Sequence, residues 1–220
     1  MIYELIGSGL PAIEIFALIV AYCVAMILSF GLHEFSHAYV SYKLGDPTPK
    51  ALGRLTLNPI KHIDPIGFFC LLFFGFGWAK PVEVNPLHYR KYKKGMFLVS
   101  ISGVATNLCL AFVATGIWFF VTTLLISTNL LLIFINYFLY FMIILNLSLF
   151  AFNLLPIYPL DGFNCLKTLL PPGNKFIEFI RKHGTIILLI VIITPIFEII
   201  YSFVTVGLLN IFCSFWGLFV

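Results

Sequence analysis

At 220 residues, 61% of them hydrophobic and only 10% charged, the chain carries too little polar surface to stay dissolved in water as a monomer. A formal charge of +4 gives no support for a nucleic-acid partner, and the five cysteines are widely spaced without a C-x-x-C pair. The composition points to an all-α polytopic membrane protein, one domain over residues 1–220, with room for about four to six transmembrane helices at about 20 residues each.

Residues 1–11 hold no basic stretch and are not read as a cleavable signal peptide. The first long apolar segment covers about 12–40 and runs into SFGLHEFSHAYVSYKLGD, residues 29–46. From Glu14 to Lys43 a continuous helix would measure about 43 Å, close to a full bilayer with its headgroups, and Gly45 is placed to cap its end. Residues 45–95 form a less regular insertion in which Pro47, Pro49, Pro59, Pro65, Pro81 and Pro86 forbid one long helix. Within it Leu55-Thr56-Leu57 and Val82-Glu83-Val84 alternate as short strands do, and Phe68 to Trp78 is apolar but too short to cross as a helix, so it reads as re-entrant. Irregular backbone at membrane depth needs cover from protein or from a wet cavity. Further apolar segments follow at about 96–125, 130–153 and 185–210, with an uncharged turn at Ser127, Thr128 and Asn129 between the first two. Residues 211–220 leave three continuations open: the end of the last helix, a bend at the interface, or part of another short span.

All thirteen Lys and Arg fall between Lys43 and Lys94 or between Lys167 and Lys182. The positive-inside rule puts both blocks in the cytoplasm and the N-terminus, with Glu4 and Glu14, outside. The run Arg90, Lys91, Lys93, Lys94 then anchors at anionic headgroups. Glu198 in the last span either gates substrate entry or lies near the outer interface. Asn107, four residues from Gly103 on an apolar helix, reads as a cross-helix donor at a close packing point.

His33 and His37 lie about 15 and 9 Å above Lys43 on one helix face, one turn apart, at the inner edge of the hydrocarbon. Two imidazoles at that spacing close on one zinc ion, and Glu34 between them reaches a water beside it. Ionisable groups at this depth cost energy and demand partners or water. A third ligand is then required, from His62, His88, His183 or a carboxylate outside the motif. Asp161 stands out in NLLPIYPLDGFN, because the charge blocks bring it to the same membrane face as the histidines and the prolines around it unwind the chain. Its other reading is a helix N-cap. Asn153 in the same stretch is either an oxyanion donor or a partner for carbonyls freed by the break. His62, near Asp64 in KHIDPIG, either lines the cavity mouth and contacts substrate or fixes its loop.

HEFSH in the first core span, together with N-x-x-P-x-x-P-L-D-G from Asn153 to Gly162, resembles the site-2 protease family of zinc intramembrane metalloproteases. GRLTLNPIKHIDPIG and GWAKPVEVNP extend the likeness to the compact bacterial branch without a PDZ domain. The resemblance implies one zinc per chain held by His33, His37 and Asp161, with Glu34 as catalytic base. It also implies transmembrane proteins or peptides as substrates in a bacterial plasma membrane, with the active site toward the cytoplasm. It says nothing of oligomeric state. The chain departs from many relatives at Ser102-Gly103-Val104, where they carry a Gly-Pro pair, and at Phe163-Asn164 after Asp-Gly. Two other classes compete: a metal transporter, which would offer successive ligand sets along a path, and an inactive binding homologue, which would have lost a ligand or the base.

Overall fold

Pro11 fixes the start of α1 (Ala12–Lys43), whose 32 residues carry Glu14 in the first turn and Lys43 in the last, each favourably placed on the helix dipole. The computed structural model describes residues 9–74, 77–124 and 129–219. The N-terminal Glu4 and the turn residues Ser127 and Thr128 lie outside them. After α1 come α2 (Thr48–Ala51), α3 (Pro65–Phe74), α4 (Tyr92–Leu124), α5 (Leu130–Asn153), α6 (Asp161–Leu169), α7 (Lys175–Ile193) and α8 (Pro195–Trp216). Four of these, α1, α4, α5 and α8, are long and apolar enough to cross a membrane.

The four pack with defined directions. Tyr22 meets Phe141 and Ser29 meets Met142 and Asn146, so α1 and α5 run parallel. His33 meets Asn107 and His37 meets Val99, so α4 runs against α1. The indole of Trp216 on α8 bonds the Phe112 carbonyl at 3.0 Å, and Phe212 stacks edge-on to Phe112. On α1 a strip recurs every fourth residue, Ala17, Ala21, Ala25, Ser29, His33, His37 and Ser41, and every member is buried. Small side chains let neighbouring backbones come close, and the two imidazoles occupy positions in the same strip. Phe203, 81% exposed on α8, belongs to the apolar surface left for lipid.

The expected last segment, 185–210, is interrupted. Pro195 lacks an N–H and clashes with a continuing helix, so α7 stops at Ile193 and α8 starts afresh. Residues 211–216 complete α8, which resolves the three continuations. Within the insertion the short helix α3 packs against α1. Asp64 caps α3 by accepting the Gly67 N–H at 2.9 Å, and Leu71 buries against Tyr22 and Met26. The chain then returns along α3, with Gly67 and Gly77 pressed against each other's neighbouring backbone where a Cβ would not fit. The two strand-like segments form no strand. Among the described residues the only β-type pairing is a single bridge between Ile63 and Ala79. The prolines withhold donors, the Lys80 N–H goes to the His62 carbonyl, and the Val82 and Asn85 N–H groups turn to side chains instead.

Candidate metal centre

The parallel run of α1 and α5 brings their C-terminal ends to one end of the bundle, so the HEFSH helix and the segment after Asn153 converge. Residues 154–160 carry Pro156 and Pro159 and are not helical until α6 begins at Asp161. Gly162 lies against the carbonyls of Leu154 and Leu155 with no room for a side chain, which holds the start of α6 in place. The helix is capped at Leu160 without a side-chain bond, so the Asp161 carboxylate is free of capping duty.

That carboxylate faces both histidines. Asp161 Oδ2 lies 3.4 Å from His33 Nε2 and 3.2 Å from His37 Nε2, and the two Nε2 atoms are 3.1 Å apart. His33 Nδ1 donates to Asn107 Oδ1 at 2.5 Å and His37 Nδ1 donates to the Val99 carbonyl at 2.7 Å. In the neutral rings that bind a metal, with the one proton of each committed outward, both Nε2 atoms present lone pairs inward. Three acceptors therefore point at one another, and the buried Asp161 Oδ2 has no hydrogen-bond partner. Such a cluster repels itself unless a cation sits among it. Zinc bonds of about 2.0–2.1 Å in tetrahedral geometry set neighbouring ligand atoms about 3.3–3.4 Å apart, which the triangle matches. Two imidazoles and one carboxylate, with a fourth position facing a cavity, fit a catalytic zinc site. Among the described residues no other group of three potential ligands is assembled.

The cavity, of about 340 Å³, is lined by His33, Glu34, His37, Asn153, Asp161 and Asn164 together with Trp78, Ala79, Pro81, Val82 and Val84 of the insertion. Glu34 Oε2 accepts the Val82 N–H at 2.8 Å, a bond that lays the returning insertion over the motif. Asp46, just beyond α1, anchors the same stretch. It accepts N–H groups from Asn85 at 2.7 Å and Thr48 at 3.0 Å and the Ser41 hydroxyl at 2.8 Å, and lies 3.3 Å from His88 Nδ1. Burial alone would raise its pKa, but these donors outweigh it and hold the carboxyl below the usual carboxylate range.

The remaining expected residues fall elsewhere. Asn153 lines the cavity, with its Nδ2 bonded to the Leu149 carbonyl at 3.1 Å. His62 is fully buried in the insertion, bonded to the Thr56 carbonyl at 3.0 Å, and does not line the cavity. His88 pairs with Asp46, away from the cluster. Sequence reasoning passed over Ser29 and Asn146, which extend the His33–Asn107 bond into the core, and the Val82 N–H on Glu34. The two side chains had a visible signal: a polar residue in the middle of an apolar span, and for Ser29 membership of the fourfold strip of α1. The backbone donor had none.

Comparisons with known proteins agree with this chemistry. The profile of Peptidase family M50 matches residues 122–191, which include Asp161 but not HEFSH. The chain is similar to the protein named "Putative zinc metalloprotease YwhC" of Bacillus subtilis, 44% identical over 177 residues, 79% of this chain and 80% of that protein. It is also similar to proteins named "Putative zinc metalloprotease Rip2". Identity is 29% over 209 residues in Mycolicibacterium smegmatis, 88% of this chain and 75% of that one, and 28% over 190 residues in Mycobacterium tuberculosis, 82% and 68%. No solved structure matches the chain.

Proposed function

The chain belongs to peptidase family M50, the site-2 protease family, and from that premise we propose that this zinc metalloprotease cuts membrane-embedded proteins near the cytoplasmic face through His33, Glu34, His37 and Asp161. The observation that carries the reading is the buried triangle of three acceptors with an open cavity beside it. His33, His37 and Asp161 hold one zinc per chain. When bound, zinc acidifies a water and polarises a peptide carbonyl. Glu34, on the cavity wall, would accept the proton of the water that adds to the scissile carbonyl and pass it to the amine nitrogen as the C–N bond breaks. Asn164 and Asn153 offer polar groups along the cavity wall, and the returning segment Trp78 to Val84 limits access for bulk water. A helical substrate must unwind to expose a scissile carbonyl, and the extended Pro81 to Asn85 stretch lies where such a chain would align.

The single cluster of metal-suited residues argues against a transporter among the described residues, and the presence of Glu34 beside it argues against an inactive homologue. The basic stretches at Lys43, Arg90 to Lys94 and Lys167 to Lys182 support a cytoplasmic site in a bacterial plasma membrane. Co-expression with a library of tagged single-span proteins tests the activity: cuts are expected with the wild-type chain, to vanish on chelation and to return with zinc. Reporter fusions at Lys61, Lys93 and Arg181 should read cytoplasm and one at Thr128 outside. A cytoplasmic signal at Thr128 would break the assigned orientation.

Gly103 provides a further check on the ligand set. A Cβ there would stand 2.5 Å from both His33 Cε1 and His37 Nε2, rings that their Nδ1 bonds hold in place. Gly103→Ala is expected to weaken zinc binding by on the order of 10-fold or more, while the helix itself gains about 1 kcal/mol of intrinsic propensity. Chelator competition on the folded variant measures the first; unchanged zinc affinity would show that the imidazoles do not carry the metal in this geometry.

A further inference from the structure

A buried chain of side chains leads away from His33, and its polarity is set at the far end. Asn146 on α5 donates from Nδ2 to the Met142 carbonyl at 2.7 Å and to Ser29 Oγ at 2.8 Å, and Ser29 in turn donates to the Ala25 carbonyl at 2.7 Å. A carbonyl only accepts, so the Asn146 amide must turn its nitrogen that way and its oxygen toward Asn107. Asn107 is then obliged to offer Nδ2, at 2.7 Å, which leaves its own Oδ1 on His33 Nδ1 at 2.5 Å. An amide oxygen only accepts, so in the neutral ring the His33 proton sits on Nδ1 and the lone pair on Nε2. Either amide alone would fit its space turned over; the backbone carbonyls break the tie. Ser29, Asn107 and Asn146 are all fully buried, so no bulk water competes for these bonds.

We propose that Asn146, which touches no metal ligand, is a positioning residue that sets the tautomer of His33 by relaying the direction of the Met142 carbonyl through Asn107. The alternative that it suppresses is concrete. If Asn107 turned over, its N–H would meet Nδ1, the His33 proton would move to Nε2, and that N–H would face Asp161 Oδ2, 3.4 Å away. The metal-free site would then close on itself with a hydrogen bond, and zinc would have to break it.

The proposal rests on the zinc reading for its affinity arm and is independent of it for its spectroscopic arm. In the full chain with ¹⁵N-labelled histidine and no metal, the wild type should show His33 protonated on Nδ1. Asn146→Leu removes the acceptor for Asn107, and His33 should move to the Nε2–H form, with zinc affinity falling by on the order of 10-fold, the low end of the effect of outer partners. Asn107→Asp needs no instruction from residue 146, because both carboxylate oxygens accept. In Asn107→Asp combined with Asn146→Leu the Nδ1–H form and near wild-type zinc affinity should therefore return. Isosteric Asn146→Asp, which still accepts from Asn107, should keep the Nδ1–H form and serves if the leucine variant does not fold. An unchanged tautomer in Asn146→Leu, a switch in Asn146→Asp, or zinc loss that the double variant fails to restore would each overturn the relay and leave Asn146 a packing residue. Absence of zinc binding by the wild type would instead sink the metal reading, leaving the tautomer result to stand on its own.

Discussion

Glu34→Gln is expected to keep a full complement of zinc and to lose cleavage by at least the roughly 10²–10⁴-fold that a positioned general base supplies. The substitution separates two roles that the same side chain plays. As a hydrogen-bond acceptor, Glu34 holds the Val82 N–H at 2.8 Å, and a glutamine amide oxygen does the same, so the returning insertion should stay docked over the cavity. As a base, it must accept a proton from water at neutral pH, which an amide does not do. Neither role requires a bond to the triangle of His33, His37 and Asp161, whose Nε2 and Oδ2 atoms lie 3.1–3.4 Å from one another. Metal analysis of the purified variant beside a cleavage assay on a tagged single-span substrate gives the two readouts. Retained cleavage in a preparation free of wild-type enzyme would remove Glu34 as the base, whereas loss of zinc with loss of cleavage would assign it to the metal shell.

How much of this was legible depends on whether the signal lay in side chains along one element or in groups meeting across the fold. The four spans and the face shared by His33 and His37 follow from hydropathy and helical spacing, which are local. The charge blocks placed Asp161 at the same end of the bundle as the histidines without any contact information, because orientation rules act on whole segments. Three things were not legible. The break between α7 and α8 sits at Pro195 inside an apolar run whose hydropathy hides it. The alternation of Val82, Glu83 and Val84 looks like a strand, but a strand needs a partner, and the nearby backbone donors go to Glu34 and Asp46, 48 and 39 positions away in sequence. His62 has the composition of a cavity residue, and its full burial against the Thr56 carbonyl reflects the fold of the loop. Asn107 does donate across helices, to Asn146, but its amide oxygen, on the Nδ1 of His33, matters as much as the nitrogen.

Asp161→Ala should strip the site of most of its zinc and abolish proteolysis, and Asp64→Ala should spare both. The two carboxylates lie in similar proline-rich surroundings, Asp64-Pro65 and Pro159-Leu160-Asp161, and the sequence reading favours Asp161 by its position after the third apolar segment. Their surroundings in the structure differ in kind. Asp64 Oδ1 accepts the Gly67 N–H at 2.9 Å and caps α3, so its loss removes a helix cap worth about 1 kcal/mol and leaves the metal triangle untouched. Asp161 caps nothing, and its buried Oδ2 has no hydrogen-bond partner while two imidazole lone pairs face it at 3.2 and 3.4 Å. Without that oxygen the site retains two neutral donors and no negative charge to offset a divalent cation, so the affinity loss should exceed the roughly 10–100-fold typical of outer partners. Zinc content after dialysis against a weak chelator, measured on both folded variants, compares the carboxylates directly. Full zinc in Asp161→Ala, or loss confined to Asp64→Ala, would mean that the third ligand comes from the insertion and that the convergence of α1 with α6 serves packing instead of metal binding.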